Sequence, residues 1–482
     1  MMRKRKYLTG LLICIACCHH LAAQFKDAED SLHVQTSPDS IPGPKETHFT
    51  VREIVIEGNR KTKDAIILRE IPFKPGDEYL LQELVKKFET ARERLMNTTL
   101  FHEAIVALKS FDGYNIDILV QVKERWYIFP VPYFKPVDRN LNQWLVEQKG
   151  SFKRVNYGGK LVYNNVTGRN DKLKFWLIGG YTKQIMFNYD RLYIDRNMKW
   201  GMLVGLSAGK TRELNYKSDD DKQIFLNGDT YLRKFTHINA ELTYRRAIRT
   251  RHRFGIGYVK EKVADTILKL NPNYFNEERT SISFPRFYYT MTYYDLDYIP
   301  YPTRGYAAEV NFQKEGINKS NDLWYLNVKG SAHWPTGKRS FFSLNSYAAI
   351  KLPFKQPFYN QRLLGYNDVF IQGYEYYVID GVAGGYLRAS MSRRFFSFDI
   401  NLPGTKKLVP TRVPIHIYGR VYGNTGYVYN SNETTNNLSN RMLFSTGVGI
   451  DIVTIYDFSL RVDWSLNHLG QNGIFLHRKV VF

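Results

Sequence analysis

In the stretch VREIVIEGNRKTKDAIILREI, residues 51–71, the apolar residues first alternate and then, from about the middle, recur at helical spacing. Its first half has the pattern of a half-buried strand and ends at Glu57-Gly58-Asn59, a combination typical of turns. Its second half has apolar residues at helical spacing, from Thr62, which is positioned to cap a helix, to Ile71. The stretch therefore predicts a strand, a turn and a short helix.

The next fifty residues extend this pattern into a small α/β module. Prolines after Ile71 end the first helix, and apolar residues along one face predict a second helix over residues 80–96. Residues 101–108 and 114–122 alternate again and are separated by Phe111-Asp112-Gly113, which predicts a hairpin. The predicted element order is β-α-α-β-β, within a module spanning residues 48–126.

The amino terminus has the three parts of a secretory signal peptide. Arg3 to Lys6 are basic, Leu8 to Cys18 form an apolar stretch too short to span a bilayer, and Leu21-Ala22-Ala23 offers a cleavage site. We therefore assign residues 1–23 to a signal peptide. A competing interpretation makes Cys17 the acylated first residue of a lipoprotein. Residues 24–47 are polar and without periodicity, as expected of a disordered leader.

Composition limits the chemistry that the exported chain can use. All three cysteines lie within residues 1–23, so the remainder has neither a disulfide nor a thiolate metal site. The formal net charge of +22 suits contact with anionic lipid or acidic clients better than with nucleic acid, given export. The alternative is that dispersed lysines and arginines serve solubility and headgroup contact.

Residues 127–482 have the composition and the residue alternation expected of an outer-membrane β-barrel. The chain is 15% aromatic, with 35 Tyr and 30 Phe, and its mean hydropathy is only −0.40. A barrel needs apolar residues only at alternate positions, and aromatic rings suit both membrane interfaces. Short alternating segments recur between polar turns, and the length accommodates sixteen strands. We expect an all-β transmembrane antiparallel barrel after the α+β module.

The module resembles a POTRA domain, the periplasmic module of the BamA/TamA outer-membrane assembly superfamily. The opening stretch carries this resemblance, together with ARERLMNTTLFHEAIVAL (91–108) and IDILVQVKER (116–125). The resemblance implies a barrel in the bacterial cell outer membrane with the POTRA domain in the periplasm.

The segment LLGYNDVFIQGYEYYVIDGVAGG (363–385) resembles the superfamily's long loop that folds back into the barrel lumen. The family's Arg-Gly-aromatic turn appears here as Gln372-Gly373-Tyr374, followed by Glu375. The acidic wall strand that binds the family's arginine is matched by a strand with Asn424 and Gly426. Since two amides can hydrogen-bond neutrally, a Gln372–Asn424 contact is expected to hold the loop. The alternative is that Gln372 is exposed and that Glu375 or Arg388 carries the pairing.

Three further segments also resemble superfamily features. YPTRGY (301–306), with Pro302, Arg304 and Gly305, resembles a segment that opens a mid-barrel strand. STGVGIDIVTIYDFSLRVDWS (445–465) resembles the closing strands. The terminal Phe482 resembles the recognition signal of bacterial outer-membrane barrels.

Enzymatic function is not expected, and neither a cofactor nor a metal is predicted. His237, His252, His333, His416, His468 and His477 occur singly, and none of them lies in an H-E-x-x-H or Gly-x-Ser-x-Gly setting. Asp219-Asp220-Asp221 has the charge for a cation, although such runs in polar loops are usually solvated. The arginines of residues 245–253 are expected either on lipopolysaccharide phosphates or facing lumen or solvent.

Two functions fit these features. The first is a factor for outer-membrane protein assembly, insertion or translocation, with an accessory or client-specific role because only one POTRA module is present. Its partners would be outer-membrane lipids and lipopolysaccharide, unfolded outer-membrane or secreted clients, and periplasmic or lipoprotein partners. The alternative is a passive pore or structural barrel with a periplasmic docking module. A third function, an outer-membrane hydrolase, is the least supported, because none of these histidines lies in a catalytic motif.

Overall fold

The computed structural model describes residues 47–136, 152, 155–318, 321–366, 369–401, 412–431, 436–454 and 458–478. The predicted signal peptide and nearly all of the predicted leader lie outside these residues, as does Phe482. Within the described parts, none of the helices has the length and apolar character needed to cross a bilayer.

The N-terminal module is a four-stranded sheet packed against two helices. Its strands are β1 (His48–Glu57), β2 (Glu78–Leu80), β3 (Phe101–Asp112) and β4 (Asn115–Glu124), and its helices are α1 (Asp64–Glu70) and α2 (Leu81–Asn97). The sheet order is β2-β1-β4-β3, with β1 and β4 parallel. Buried Leu84, Ala91 and Leu95 lie along one face of α2, and they join a core that includes Ile67 and Ile118.

Two details of the module differ from the sequence prediction. The three-residue strand β2 was not predicted, because so short a segment shows no alternation. Thr62 does not cap α1; Lys63 occupies that position and no side chain caps the helix. The Thr62 hydroxyl instead lies 3.1 Å from the Tyr127 hydroxyl and accepts a hydrogen bond from Asn165, which belongs to a turn of the second sheet.

The rest of the described chain forms one antiparallel sheet of sixteen strands, as predicted. The strands are β5 (Ile128–Pro136), β6 (Val155–Asn164), β7 (Lys172–Gly180), β8 (Thr182–Arg191), β9 (Trp200–Thr211), β12 (Arg233–Tyr244), β13 (Thr250–Val263), β14 (Ser281–Leu296), β15 (Gly305–Asn318), β16 (Asn321–Gly337), β17 (Ser340–Leu352), β20 (Ala383–Asn401), β21 (Arg412–Tyr429), β22 (Met442–Val453), β23 (Ser459–Asn467) and β24 (Asn472–Arg478).

This sheet has its apolar face outward and its polar face inward. On β22, Phe444, Val448 and Ile450 are about half exposed, whereas Ser445 and Asp451, at alternate positions, are buried. Water would penalise such a surface, whereas lipid favours it, and a strand in a membrane barrel alternates in this way. The alternation therefore identifies the outer face as the lipid-facing side.

The sheet curves back on itself around a polar lumen. Tyr301, which precedes β15, donates a hydrogen bond of 2.9 Å to Asp451 in β22, although four strands separate β15 from β22 in the sheet order. The sheet order begins at β24 and ends at β5. No pairing joins these two strands among residues 128–136 and 472–478, and we call this junction the seam.

The two ends of the barrel differ in their connections. At the module end, short turns join strands, for example between β8 and β9 and between β12 and β13. At the opposite end the connections contain further elements, namely the hairpin β10 (Glu213–Asp219) and β11 (Lys222–Asn227), α3 (Asp265–Leu270), α4 (Phe358–Gln361), β18 (Arg362–Leu364) and β19 (Ile379–Asp380). These short elements were not predicted.

Candidate lumen-loop site

The connection between β17 and β20, residues 353–382, carries the predicted loop tripeptide Gln372-Gly373-Tyr374 into the lumen. Gln372 and Tyr374 are only 2% and 1% exposed. Tyr374 N–H donates to the Ile371 carbonyl at 3.0 Å, which closes a tight turn at the tripeptide. The tripeptide is therefore packed against the inner wall, and the alternative of an exposed Gln372 is excluded.

The predicted Gln372–Asn424 hydrogen bond is wrong. Gln372 Nε2 donates to Asp463 Oδ2 on β23 at 2.6 Å, whereas Asn424 Nδ2 donates to Ser445 Oγ at 3.0 Å. The inner wall therefore does present a carboxylate to the loop. It lies on β23, two strands from β21, where the partner had been predicted. A hydrogen bond to a charged acceptor is stronger than the amide pair that we expected.

Asn424 and Gly426 nevertheless lie close to the loop. Asn424, Ser445 and Asn467 are directly paired across β21, β22 and β23. Gly373 is seated on this row: its carbonyl accepts a hydrogen bond of 2.8 Å from Asn467 Nδ2.

Two glycines allow this close approach. Gly373 has a φ of +90°, and a Cβ there would lie 3.0 Å from the Ser445 Cβ. A Cβ on Gly426 would lie 2.4 Å from the Ile371 side chain, so this glycine makes room for the residue before the tripeptide. Larger residues at either position would push the loop away from the wall.

The following residues extend the attachment toward the seam. The Tyr374 hydroxyl donates to the Phe444 carbonyl at 3.0 Å and contacts the His468 ring nitrogen. The Glu375 carboxylate accepts from Gly373 N–H at 2.7 Å and lies 3.2 Å from His477 Nε2 on β24. The loop therefore binds β22, β23 and β24, the last three strands of the barrel.

Asp463 belongs to a buried cluster of ion pairs on the inner wall. Arg420 on β21 binds Asp463, and Arg461 donates to Asp451 at 2.9 Å. Arg420 Nε also lies 3.7 Å from Asp451, which links the two pairs. Because all four side chains are shielded from water, the cluster gives the wall a fixed pattern of charge to which Gln372 docks.

Gly449 lies between the two partners of the first pair. It is directly paired with Arg420 on one side and with Asp463 on the other. A Cβ at this position would lie 2.1 Å from Asp463 Oδ1. The absence of a side chain therefore lets the guanidinium and the carboxylate meet across an intervening strand.

Arg388, the other alternative for the pairing, does not replace the Gln372 contact. Its guanidinium lies 4.1 Å from the centre of the Tyr386 ring and 4.9 Å from that of Phe370. It is therefore held by aromatic rings inside the lumen, where cation–π contacts are favourable.

The YPTRGY segment connects the lumen with the N-terminal module. Tyr301 binds the ion cluster through Asp451, while Arg304 Nη2 donates to Glu93 of α2 at 2.7 Å. Gly305 has a φ of +107° and lies against the Asp295 carbonyl, so β15 begins with a backbone shape that favours glycine. Pro302 is buried beside Tyr301.

A buried ion pair also joins the module to the barrel. Arg245, in the turn after β12, donates to Glu70 of α1 at 2.9 Å and to the Tyr193 hydroxyl at 2.6 Å. In addition, Asn97 of α2 donates to the Leu296 carbonyl at 3.0 Å and accepts from Ile299 N–H. We call these contacts of Glu70, Arg304 and Asn97 the module latch. They hold α1 and α2 against the barrel turns.

Three of the five arginines of residues 245–253 have carboxylate partners on the same chain. Arg249 and Arg253 form ion pairs with Asp295 and Glu241, and Arg245 belongs to the module latch. The ion pairs of Arg245, Arg249 and Arg253 fit the second predicted role, in which these side chains face the lumen or solvent.

The other polar candidates have structural partners. Asp221 is buried, and its carboxylate accepts backbone hydrogen bonds from Asn437 and Leu438. Histidines on strands have hydrogen-bond partners, such as Glu261 for His237 and Ser343 for His333. Among the described residues, no three potential metal ligands come together.

Asp463, Asn467 and Arg420 were missed by the sequence prediction. Asp463 lies within the segment 445–465 that we quoted, at an inward position of an alternating strand. A charged residue on the polar side of a barrel strand is a usable signal. The sequence does not show which loop residue it faces, because that depends on how sixteen strands close.

Comparisons with known proteins agree with this architecture. The POTRA family model, described as surface antigen variable number repeat, matches residues 49–125, and the model of the Omp85 superfamily domain matches residues 165–466. A curated relative, the outer membrane protein assembly factor BamA of Neorickettsia risticii (strain Illinois), is 35% identical over 125 residues. The match covers 26% of this chain and 15% of that relative.

Solved structures resemble the fold with low sequence identity. BamA from Haemophilus ducreyi lacking POTRA domains 1–3 is 14% identical with a TM-score of 0.48, over 89% of this chain and 83% of that one. CdiB from Escherichia coli is 12% identical with a TM-score of 0.47, over 95% and 93%. Because the Omp85 model covers more than half of the sequence, the chain belongs to the Omp85 superfamily, with a single POTRA domain before a sixteen-stranded barrel.

Proposed function

We propose that this protein inserts proteins into a bacterial outer membrane or moves them across it, with its POTRA domain in the periplasm. Family membership supports the general activity. The observation that carries the proposal is the seam, where β5 and β24 have no pairing among their described residues. Inside the bilayer the backbone N–H and C=O groups of an incoming strand have no water with which to form hydrogen bonds. An unpaired strand edge beside the lipid would supply those hydrogen bonds.

The POTRA domain offers a second strand edge. β3 lies at the end of the four-stranded sheet and presents a twelve-residue edge from Phe101 to Asp112. An extended client segment that adds to this edge would gain main-chain hydrogen bonds independent of its sequence. The proposed clients are unfolded outer-membrane or secreted proteins.

The lumen loop fits an active role better than a passive pore. It occupies the inner wall and binds β22, β23 and β24, immediately beside the seam. The module latch also holds the POTRA domain over barrel turns. The loop contacts connect the loop to the strands beside the seam, as an active role of the seam would require. No covalent chemistry is required, so we do not propose an enzyme.

We propose an accessory or client-specific role, because one POTRA domain presents only one such sheet edge. Periplasmic or lipoprotein partners would supply further binding surfaces.

Depletion of the protein followed by quantitative analysis of the outer-membrane proteome tests the role. We expect selective loss of particular barrels or surface proteins, restored by the wild-type gene. Complementation with a chain carrying a photo-crosslinking residue at Ile105, exposed on β3, should capture the same proteins; Val85, exposed on α2, is the control site. An unchanged proteome, together with a stable single-channel current independent of Tyr374, would favour a pore.

A further inference from the structure

Four lysines form a continuous row on the outer face of the barrel. Lys183, Lys210, Lys234 and Lys262 lie on the neighbouring strands β8, β9, β12 and β13, and each is directly paired with the next. Adjacent strands are about 4.8 Å apart, so the row spans roughly 14 Å. We call these four residues the lysine row.

The lysine row lies at the outer border of the apolar band, at the end opposite the POTRA domain. On β13, the outward positions below Lys262 are Lys260, Tyr258, Ile256 and Phe254, all exposed. On β9, Lys210 lies ten positions along the strand from Trp200 at the module end. At about 3.3 Å per residue and a tilt of about 40°, this corresponds to roughly 25 Å, the height of a barrel's apolar band.

The described chain supplies no counter-charge to the lysine row. None of the four lysines makes an ion pair with a described carboxylate, although the Lys210 ammonium lies 4.3 Å from the Tyr231 ring centre. By contrast, the outward-facing Lys314 on β15 binds Asp322. Like charges that are directly paired across strands repel each other, so the row requires an external anion.

An apolar groove of about 890 Å³ lies directly below the lysine row. Its floor is the glycine-rich surface of β6 and β7, where a Cβ on Gly159 would meet nothing within 4 Å. Leu177 and Ile185 form its walls and are about half exposed. The groove has the shape and apolarity to hold an acyl chain, while the lysines above it reach the headgroup layer.

We propose that the lysine row and this groove bind a phosphorylated glycolipid of the outer leaflet, lipopolysaccharide in an outer membrane. Four ammonium groups over roughly 14 Å suit a headgroup with more than one phosphate, whereas a phospholipid carries a single phosphate on two acyl chains. The position opposite the POTRA domain selects the outer leaflet. The proposal rests on the outer-membrane location but not on which clients the protein handles.

Lipid retention by purified full-length protein tests the proposal. The test variant is Lys210→Gln/Lys234→Gln/Lys262→Gln, and the matched control is Arg196→Gln/Lys199→Gln/Arg246→Gln, which removes three exposed charges from turns at the module end. Each protein is reconstituted in phosphatidylglycerol vesicles with or without lipopolysaccharide, re-extracted, and its bound lipid is counted by mass spectrometry.

We expect wild type and control to retain at least tenfold more lipopolysaccharide than the test variant, and dephosphorylated lipopolysaccharide to be retained weakly by all three. In lipid-free detergent the test variant should melt at or above wild type, because like-charge contacts are removed. Equal retention by the test variant, or equal loss by the control, would overturn the proposal. Retention of phosphatidylglycerol at the same level as lipopolysaccharide would overturn the choice of lipid, and a lower melting temperature would contradict the charge argument.

Discussion

At Asp463, a single buried carboxylate serves both the wall and the loop. One oxygen binds Arg420 and the other accepts from Gln372 at 2.6 Å. Removing the carboxylate leaves the buried Arg420 guanidinium without its nearest partner and with only the longer contact to Asp451, whereas removing Gln372 leaves the Arg420–Asp463 ion pair intact. Loss of the Asp463 carboxylate should therefore lower the free energy of unfolding more than loss of the Gln372 amide.

We expect Asp463→Asn to lower the free energy of unfolding by about 3–5 kcal/mol. Gln372→Leu should cost about 1.5–3 kcal/mol, the range for a hydrogen bond to a charged group. The double variant Asp463→Asn/Arg420→Gln should recover part of the loss, because no unpaired charge remains. Urea unfolding of the full chain in detergent, followed by tryptophan fluorescence, measures all three. Equal effects of the two single variants would contradict the assigned roles.

Asp117 in the POTRA domain gives a pH dependence. Hydrogen bonds from Arg52 and Ser110 lower the pKa of Asp117 to about 2. Since the unfolded carboxyl has a pKa of about 3.9, this stabilisation is complete above that value and is lost as the pH falls toward 2. We therefore expect the melting temperature of the domain, followed by its helical circular dichroism, to fall as the pH is lowered through this range. Asp117→Asn should show a lower melting temperature at neutral pH and a smaller change between pH 5 and pH 2.

At the scale of elements, alternation and helical spacing predicted most of the structure. Both POTRA helices and several barrel strands follow from residue periodicity, which is a local property, whereas the number of sixteen strands was inferred from chain length. The strands β2, β18 and β19 were missed because two or three residues show no period. Thr62 was misassigned as a cap because its partners Tyr127 and Asn165 lie far along the chain.

In the candidate site, the loop residues were predicted correctly, whereas their partner on the barrel wall was not. The sequence predicted that Gln372, Gly373 and Tyr374 enter the lumen, but it predicted Asn424 in place of Asp463 as the partner. Both are inward residues, on β21 and β23. Which one meets Gln372 depends on the path of a long loop and on barrel closure, and neither is encoded locally.

The module latch contains one buried ion pair and one exposed ion pair, and their contributions can be compared by substitution. Glu70→Gln removes one charge of a buried pair and should weaken the latch by about 3–5 kcal/mol. Arg304→Gln is the matched control, because the Arg304 side chain is 55% exposed and such surface pairs contribute about 1 kcal/mol or less. Hydrogen exchange of α1 and the turn after β12 should become faster in Glu70→Gln and change little in Arg304→Gln. The reverse order would show that the exposed pair holds the domain.

For the whole molecule, the lumen loop, the ion cluster and the seam lie in one continuous region. The loop binds β22 to β24, and the ion cluster fixes β21 to β23. The POTRA domain leads directly into β5 and makes further hydrogen bonds to connections beside β6, β12 and β15. This arrangement leaves the seam strand β24 with its loop contacts but, among the described residues, without strand pairing to β5. It therefore supports a barrel that acts at its seam.

Tethering the seam is the most direct test of this account. Since every cysteine lies within residues 1–23, the rest of the chain is free of competing thiols. Cysteine pairs placed along β5 and β24, beginning with the exposed Val131 and Ile474, would cross-link the two strands on oxidation. The measurement is the folded fraction of a urea-unfolded client, chosen from the depletion experiment, in proteoliposomes containing the protein. We predict that oxidation abolishes client insertion and that a reductant restores it, whereas insertion at the wild-type rate by the fully cross-linked protein would contradict the account.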